Sequence, residues 1–288
     1  MSHGLHILGD RWIAAIILDA FLGIRRFDEW QARLGIPRHT LTQKLDAMVE
    51  WDLLKRQPYQ QRPLRLAYHL TQKGLELYPQ VLMMWAWERR WGTRQLALPR
   101  RLTHQVCGHS FLPELACTAC GEKTGLSDLT FSLRINEALL AQPKQRSRNA
   151  RLTPEESTQM GLGLRVDRWT ILIIAALFLG CHHFNQLSHV LGIGSSVLSR
   201  RLIDMVESGL LLCQDDLIDS RRRVYRLTPA SRDLFGYILC LSSWTGKHHL
   251  QEPSSIMPTH KKCGEPFVPQ VVCSACKQAL LPSTVSFH

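Results

Sequence analysis

No apolar run in this chain is long enough to cross a bilayer; the longest, residues 169–179, follows directly on Asp167 and Arg168. Residues 1–10 hold neither a long apolar region nor a small-residue cleavage site, so no secretory leader is expected and the chain reads as cytoplasmic. Acidic residues are scarce beside basic ones: 24 Asp and Glu against 35 Lys and Arg, a formal charge of +11. That excess favours a polyanionic partner, because lysines and arginines that displace condensed counterions gain affinity from their release. Catalytic signatures are missing too. There is no His-Glu-x-x-His run, no His-x-Glu beside the Cys-x2-Cys pairs and no nucleophile–base constellation, so no enzyme is expected. The nine cysteines are an odd number, which in a cytoplasmic chain argues against a full disulfide framework.

What is present is a long internal repeat. Asp10-Arg11-Trp12 returns as Asp167-Arg168-Trp169, Phe21-Leu22-Gly23 as Phe178-Leu179-Gly180, and Leu34-Gly35-Ile36 as Leu191-Gly192-Ile193. Met48-Val49-Glu50 and Leu70-Thr71 return as Met205-Val206-Glu207 and Leu227-Thr228, all at an offset of 157 residues. Beyond Trp87 and Trp244 the offset falls to 156, and His104, Cys107, Phe111, Pro113, Cys117 and Cys120 reappear as His260, Cys263, Phe267, Pro269, Cys273 and Cys276. The period is far too long for a solenoid, so one domain is written twice.

Each copy predicts the same order of elements. A buried helix (residues 11–22 and 168–179) is followed by a second (27–34 and 184–191), a Gly turn and a third helix. In the first copy the third helix starts near Pro37 and buries Leu41, Leu45 and Met48. A two-stranded hairpin follows, with its tip at Gln60, Gln61, Arg62 and Pro63. Thr71 and Thr228 then cap helices rich in leucine and tryptophan, suited either to the core or to pairing the two copies. The expected fold class is mainly α with small β (α+β): two winged helix-turn-helix domains, each with a C-terminal Cys/His zinc-ribbon-like hairpin. The expected boundaries are residues 1–98 and 153–254 for the winged helices, 99–123 and 255–288 for the hairpins, and 124–152 for a basic linker.

A helix followed by a basic hairpin suits the DNA major groove and its flanking phosphates. The candidate base-reading residues are Arg38, Thr42 and Gln43 in the first copy and Ser195, Ser199 and Arg200 in the second, with His39 and Ser196 beside them also expected to bind DNA. Candidate phosphate contacts are Lys44, Arg62, Arg65, Arg201, Arg221, Arg222 and Arg223. Taken singly, any of these reads equally well as a solvated surface side chain. Asp215, Asp216 and Asp219 make the second wing less basic than the first, so double-stranded DNA with an asymmetric operator is the expected partner.

The Cys/His set suggests a metal. His104, Cys107, Cys117 and Cys120 form one candidate site, and His260, Cys263, Cys273 and Cys276 a second, with nine residues between the pairs of each. Two x2-spaced pairs can clasp one tetrahedral zinc, and four protein ligands make it structural; reduced cysteines that merely pack are the bland alternative. Gly108, Gly121 and Gly264, each just after a cysteine, ease the tight turns required.

The ordered features of the first copy resemble the HxlR-type branch of bacterial winged-helix transcription regulators. The residues carrying this are Gly9-Asp10-Arg11-Trp12, Phe21-Leu22-Gly23, Arg26-Phe27-Asp28-Glu29, Leu34-Gly35-Ile36, Leu41 with Lys44-Leu45, the wing at residues 59–63, and Leu70-Thr71 with Lys73-Gly74. The resemblance implies a non-enzymatic transcription factor working as a two-fold pair of winged helices. Such proteins usually pair as homodimers, whereas this chain holds both copies and is expected to act as an intramolecular pseudo-dimer. Residues 1–8 and 159–166 contain no cysteine, so the thiol switch that some members carry ahead of the first helix is not expected. The rival class is a protein-interaction adaptor built on the same modules, since fold alone does not dictate function.

Overall fold

The two aspartates that open the repeats do the same work in space. In the computed structural model, which describes residues 9–92, 98–133, 167–216, 222–249 and 256–288, Asp10 caps α1 (Arg11–Phe21) by accepting from the N–H groups of Trp12 and Ile13. Asp167 caps α6 (Arg168–Phe178) by accepting from Thr170. The second helices, α2 (Phe27–Leu34) and α7 (Phe184–Leu191), both end at a left-handed glycine, Gly35 and Gly192. The chain then turns into α3 (Arg38–Glu50) and α8 (Ser195–Glu207), which bury Leu41, Leu45 and Met48, and Leu198, Leu202 and Met205. Pro37 sits at the cap of α3, one residue before the position expected for it.

The wings are antiparallel ladders, β1 (Leu54–Gln60) with β2 (Arg65–Leu70) and β6 (Leu211–Asp215) with β7 (Arg223–Leu227). Thr71 and Thr228 cap the short helices α4 (Gln72–Leu75) and α9 (Pro229–Asp233), as expected. These do not continue into the next helices: α5 (Tyr78–Trp91) and α10 (Phe235–His249) start afresh. Pro79 in the first turn of α5 has no N–H to offer a preceding turn, so the break falls there in the first copy.

Gly74 lets α4 close on the wing. A Cβ there would run into the carbonyl of Leu53, whose oxygen already accepts from the N–H of Thr71 at 3.1 Å. The second copy carries Ser231 at this place, and the equivalent Thr228 to Leu210 bond is longer, 3.4 Å. Gly74→Ala should therefore force the same opening and destabilise the first copy by about 1–3 kcal/mol, read as a drop in the unfolding midpoint in urea. An unchanged midpoint would show that the approach is slack.

The copies pack on each other reciprocally, α5 against α10. Trp87 Nε1 donates to the carbonyl of Ala230 at 2.6 Å, and its repeat equivalent Trp244 donates to that of Lys73 at 3.1 Å. Arg90 pairs with Asp233 at 2.9 Å, and Lys247 pairs with Glu76 at 2.9 Å. Trp91 donates to Asp233 at 2.7 Å, and His248 lies 2.5 Å from Glu76. Residue i meets j wherever the equivalent of j meets the equivalent of i, which is the signature of a two-fold contact. One continuous core includes Ile16, Trp30 and Leu45 of the first copy with Ile174, Leu187 and Leu202 of the second.

Burial acts to raise the Glu76 carboxyl, but hydrogen bonds and charge from Lys247 and His248 outweigh it and leave its pKa below the ordinary 4.5. A depressed carboxylate contributes stability above its unfolded pKa and loses it as pH falls through the folded one. The wild type should thus lose more stability than Glu76→Gln when the pH is lowered below about 4.5. Equal pH slopes for the two would remove Glu76 from this contact.

The segments after α5 and α10 are interlaced. Their ladders all join strands of different copies: β3 (Leu102–His104) with β10 (Val285–Phe287), β4 (Pro113–Cys117) with β9 (Pro269–Cys273), and β5 (Leu129–Leu133) with β8 (Ile256–His260). Two self-contained hairpins were expected, but each copy's strands find their partners in the other. In β4–β9 Leu115 stands opposite its own equivalent, Val271, so the pseudo-dyad passes between them. β5 falls in the stretch expected to be linker. Residues 134–166, including the rest of that linker and the capping-box start of the second domain at Thr153, lie outside the described residues. Among the described residues no helix is long and apolar enough to cross a membrane.

Candidate nucleic-acid interface and metal centres

The outward faces of α3 and α8 carry the expected polar residues. Arg38, His39, Thr42 and Gln43 are exposed, as are Ser195, Ser196, Ser199 and Arg200. Arg38 lies over the ring of Phe27 at 5.0 Å, which holds its guanidinium at the start of α3. The Thr42 hydroxyl donates to the carbonyl of Arg38 at 3.0 Å and Arg200 pairs with Asp204 at 3.0 Å. At the first wing Arg62 and Arg65 are exposed, and Gln60 donates to the carbonyl of Arg62 at 3.0 Å. In the second wing Arg222 and Arg223 are exposed, while Arg221 and Asp219 lie outside the described residues. Arg223 reaches Asp215 at 3.4 Å and the imidazole of His183 lies 3.7 Å from Asp216, so Asp215 already has a cationic neighbour.

Two expected phosphate contacts are engaged elsewhere. Lys44 Nζ lies 2.5 Å from the carboxylate of Asp10, and Arg201 lies 2.6 Å from that of Asp167. Each ties the third helix of its copy to the N-terminus of the first, and both cations are half-buried. The repeat alignment of Asp10 with Asp167 and Lys44 with Arg201 held this pairing, but spacing alone does not reveal a contact across 34 residues. Asp46 pairs with Arg56 of the first wing, whereas the second copy has an exposed Ile203 in its place.

The eight Cys/His residues gather into two clusters, but not the two expected from spacing. His104 and Cys107 meet Cys273 and Cys276, while Cys117 and Cys120 meet His260 and Cys263; within each the donor atoms lie within 4.8 Å of one another. The reason is the β4–β9 ladder. It places Pro113 opposite Cys273 and Cys117 opposite Pro269, so each Cys-x2-Cys turn lies beside the other copy's His-x2-Cys turn.

The geometry suits a metal. His104 Nδ1 is 3.2 Å from Cys276 Sγ and 3.6 Å from Cys107 Sγ, and Cys107 is 4.0 Å from Cys273. In the other cluster His260 Nδ1 is 3.2 Å from Cys263 and 3.3 Å from Cys120, and Cys117 is 3.9 Å from Cys263. A tetrahedral zinc with ordinary bond lengths sets its donors about 3.5–3.8 Å apart. The four turns share one backbone form: the N–H groups of Gly108, Gly121, Gly264 and Lys277 donate to the carbonyls of His104, Cys117, His260 and Cys273 at 2.8–2.9 Å. The residue after the second ligand is left-handed in all four, with φ of 71°, 73° and 74° at the glycines and 61° at Lys277. Burial acts to raise the Cys117 thiol, but N–H groups of Cys120 and Ala119 aimed at its sulfur leave its pKa lowered. The Gln278 N–H is the main cause lowering Cys276. At these two sulfurs the effect favours the thiolate, the form that binds metal, whereas the partner thiols Cys120 and Cys273 are shifted upward.

Ligand spacing gives no sign of Thr124, which the fold brings to the second cluster. The His260 ring lies 3.4 Å from Thr124 Oγ1, whose hydroxyl donates to the carbonyl of Glu122 at 2.9 Å. The oxygen is thereby left to accept from Nε2–H, which directs the Nδ1 lone pair into the cluster. At the equivalent place beside His104 the repeat has Leu280, and His104 Nε2 is buried with no hydrogen-bond partner among the described residues.

Two winged helices with exposed polar third helices, joined about a pseudo-dyad, define a DNA-binding transcriptional regulator. The HxlR-like helix-turn-helix family matches residues 7–96 and again 165–253, and the chain belongs to that family, carrying its domain twice. An uncharacterized HTH-type transcriptional regulator of Mycobacterium tuberculosis (strain CDC 1551 / Oshkosh) is 36% identical over 130 residues, 45% of this chain and 82% of that protein. A Bacillus subtilis (strain 168) protein of the same description is 31% identical over 86 residues, 30% of this chain and 80% of its own. A solved Pseudomonas aeruginosa structure, described as a candidate transcription factor, is 30% identical at a TM-score of 0.31, covering 52% of this chain and 91% of that one.

Proposed function

We propose that this regulator acts in the cytoplasm as a single-chain pseudo-dimer, its two unlike winged helices meeting two unlike half-sites of one operator. The observation that carries this is the reciprocal contact of Trp87 with Ala230 and Trp244 with Lys73, a dimer-like interface inside one polypeptide. In this reading Arg38, His39, Thr42 and Gln43 meet base edges in one half-site, and Ser195, Ser196, Ser199 and Arg200 in the other. Arg62, Arg65, Arg222 and Arg223, with Arg221, meet phosphates. Lys44 and Arg201 fix the third helices in place. The two Cys/His clusters hold zinc in a structural role, since sulfur and imidazole donors in fours are its preferred set.

Footprinting combined with mass measurement of the complex tests the reading. One chain should protect an asymmetric site, because linkage presents the second half at high effective concentration without a second molecule. A palindromic footprint holding two chains would overturn it. An adaptor would instead bind DNA weakly at every salt concentration, whereas the regulator's affinity should fall steeply as salt rises.

A further inference from the structure

We propose that each zinc ion is held jointly by both copies, and that the two joint centres differ in strength, the His104 centre being the weaker. The inference rests on the zinc reading above and goes beyond it, because it assigns ligands, partners and order of release. One centre takes His104 and Cys107 from the first copy and Cys273 and Cys276 from the second. The other takes Cys117 and Cys120 from the first and His260 and Cys263 from the second. Metal binding is then not a local event within one hairpin. Each ion cross-links segments of the chain about 140–172 residues apart.

The inequality follows from the ring nitrogens that face away from the metal. Metal-bound histidines almost always donate that second N–H to an acceptor, which fixes the tautomer and raises ligand basicity. His260 has Thr124 for this purpose, and the Thr124 hydroxyl is turned by its own bond to Glu122 so that its oxygen can accept. His104 has the apolar Leu280 at the matching place, and its Nε2 is buried and unpaired among the described residues. Loss of such a partner typically lowers metal affinity about 10–100-fold. Chelator should therefore draw off the His104-centre ion first.

The test uses the full chain purified with zinc and counts retained ions by native mass spectrometry during titration with a competing chelator. Wild type should pass from two ions to one and then to none, in two separated steps. The double variant Cys107→Ser with Cys276→Ser should keep one ion, the tighter. Cys117→Ser with Cys263→Ser should keep one ion, the weaker. Cys107→Ser with Cys120→Ser should keep no ion that resists chelator, although both changes lie in one copy. Retention of one tight ion by this last variant, with none in the first two, would overturn joint binding. Wild type with no zinc at all would instead overturn the zinc reading itself.

A milder variant guards against misfolding. Thr124→Val keeps every ligand and should lower the affinity of the tighter ion about 10–100-fold, merging the two release steps. Two well-separated steps that survive Thr124→Val would sink the proposed inequality.

Discussion

Stripping the two proposed zinc ions should unfold the interlaced segment of the two copies as one unit while the winged helices stay helical. The strands there are short, three to five residues, and their ladders run between copies, with only single β-bridges inside each copy among the described residues. Ladders of that length are marginal in water without a core or a staple. Their core is the layer made by Leu102, Phe111, Leu115, Phe267 and Val271 against Tyr78, Leu82 and Trp85 of α5 and Phe235 and Leu239 of α10. Structural zinc contributes apparent binding energies of about 10–16 kcal/mol, which in small domains is folding energy. Its removal should raise amide exchange throughout β4 and β9 by orders of magnitude. Trp85, buried and hydrogen-bonded to the carbonyl of Pro99 at 2.9 Å, should become wetter and its fluorescence should shift to the red. The uncovered faces of α5 and α10 should then promote association. Equal exchange protection with and without metal would mean that the layer stands by packing alone.

The second large effect is on DNA recognition. Gln43→Ala or Arg38→Ala should relax base preference in one half-site only, at about 1–3 kcal/mol for each bidentate hydrogen-bond pair removed. Both residues are exposed on α3 and neither forms an ion pair with an acidic residue among the described residues that would compete with a base. Arg62→Ala should weaken binding to every sequence and reduce the slope of log affinity against log salt by about one. The two halves should respond unequally. Ser195 stands where Arg38 does in the first copy, and Asp215 of the second wing draws on Arg223. If Arg62→Ala altered only the preferred sequence, the wing would be reading bases, and its assignment to phosphates would fail.

Much of the fold was legible in the residues. Apolar spacing located α3 through Leu41, Leu45 and Met48, and Thr71 and Thr228 marked caps that form as expected. The offset of the repeats carried the reciprocal contacts too, since Trp87 and Trp244 are equivalents. Ligand residues were legible one by one, but their grouping was not. Spacing within a copy says that two x2 turns can share an ion; it is blind to a strand partner 156 residues away, and β4 could have paired with either copy. Thr124 belongs to no motif, because an acceptor behind a histidine needs only an oxygen at the right place. Lys44 and Arg201 read as surface cations for a similar reason: a charge on a helix flank does not announce the cap of another helix as its partner. The break before Tyr78 was hidden differently. An apolar stripe runs across it without interruption, while Pro79 holds the signal.

A pseudo-dyad enclosed in one polypeptide also changes what mutation can do. In a homodimer every substitution arrives on both sides at once, so a change that helps one half must be tolerated by the other. Here a substitution falls on one half alone. Ile203 can occupy the place that Asp46 holds across the axis, and Leu280 can lack a hydroxyl that Thr124 keeps. The lineage of such a chain is free to specialise one half for affinity and the other for discrimination.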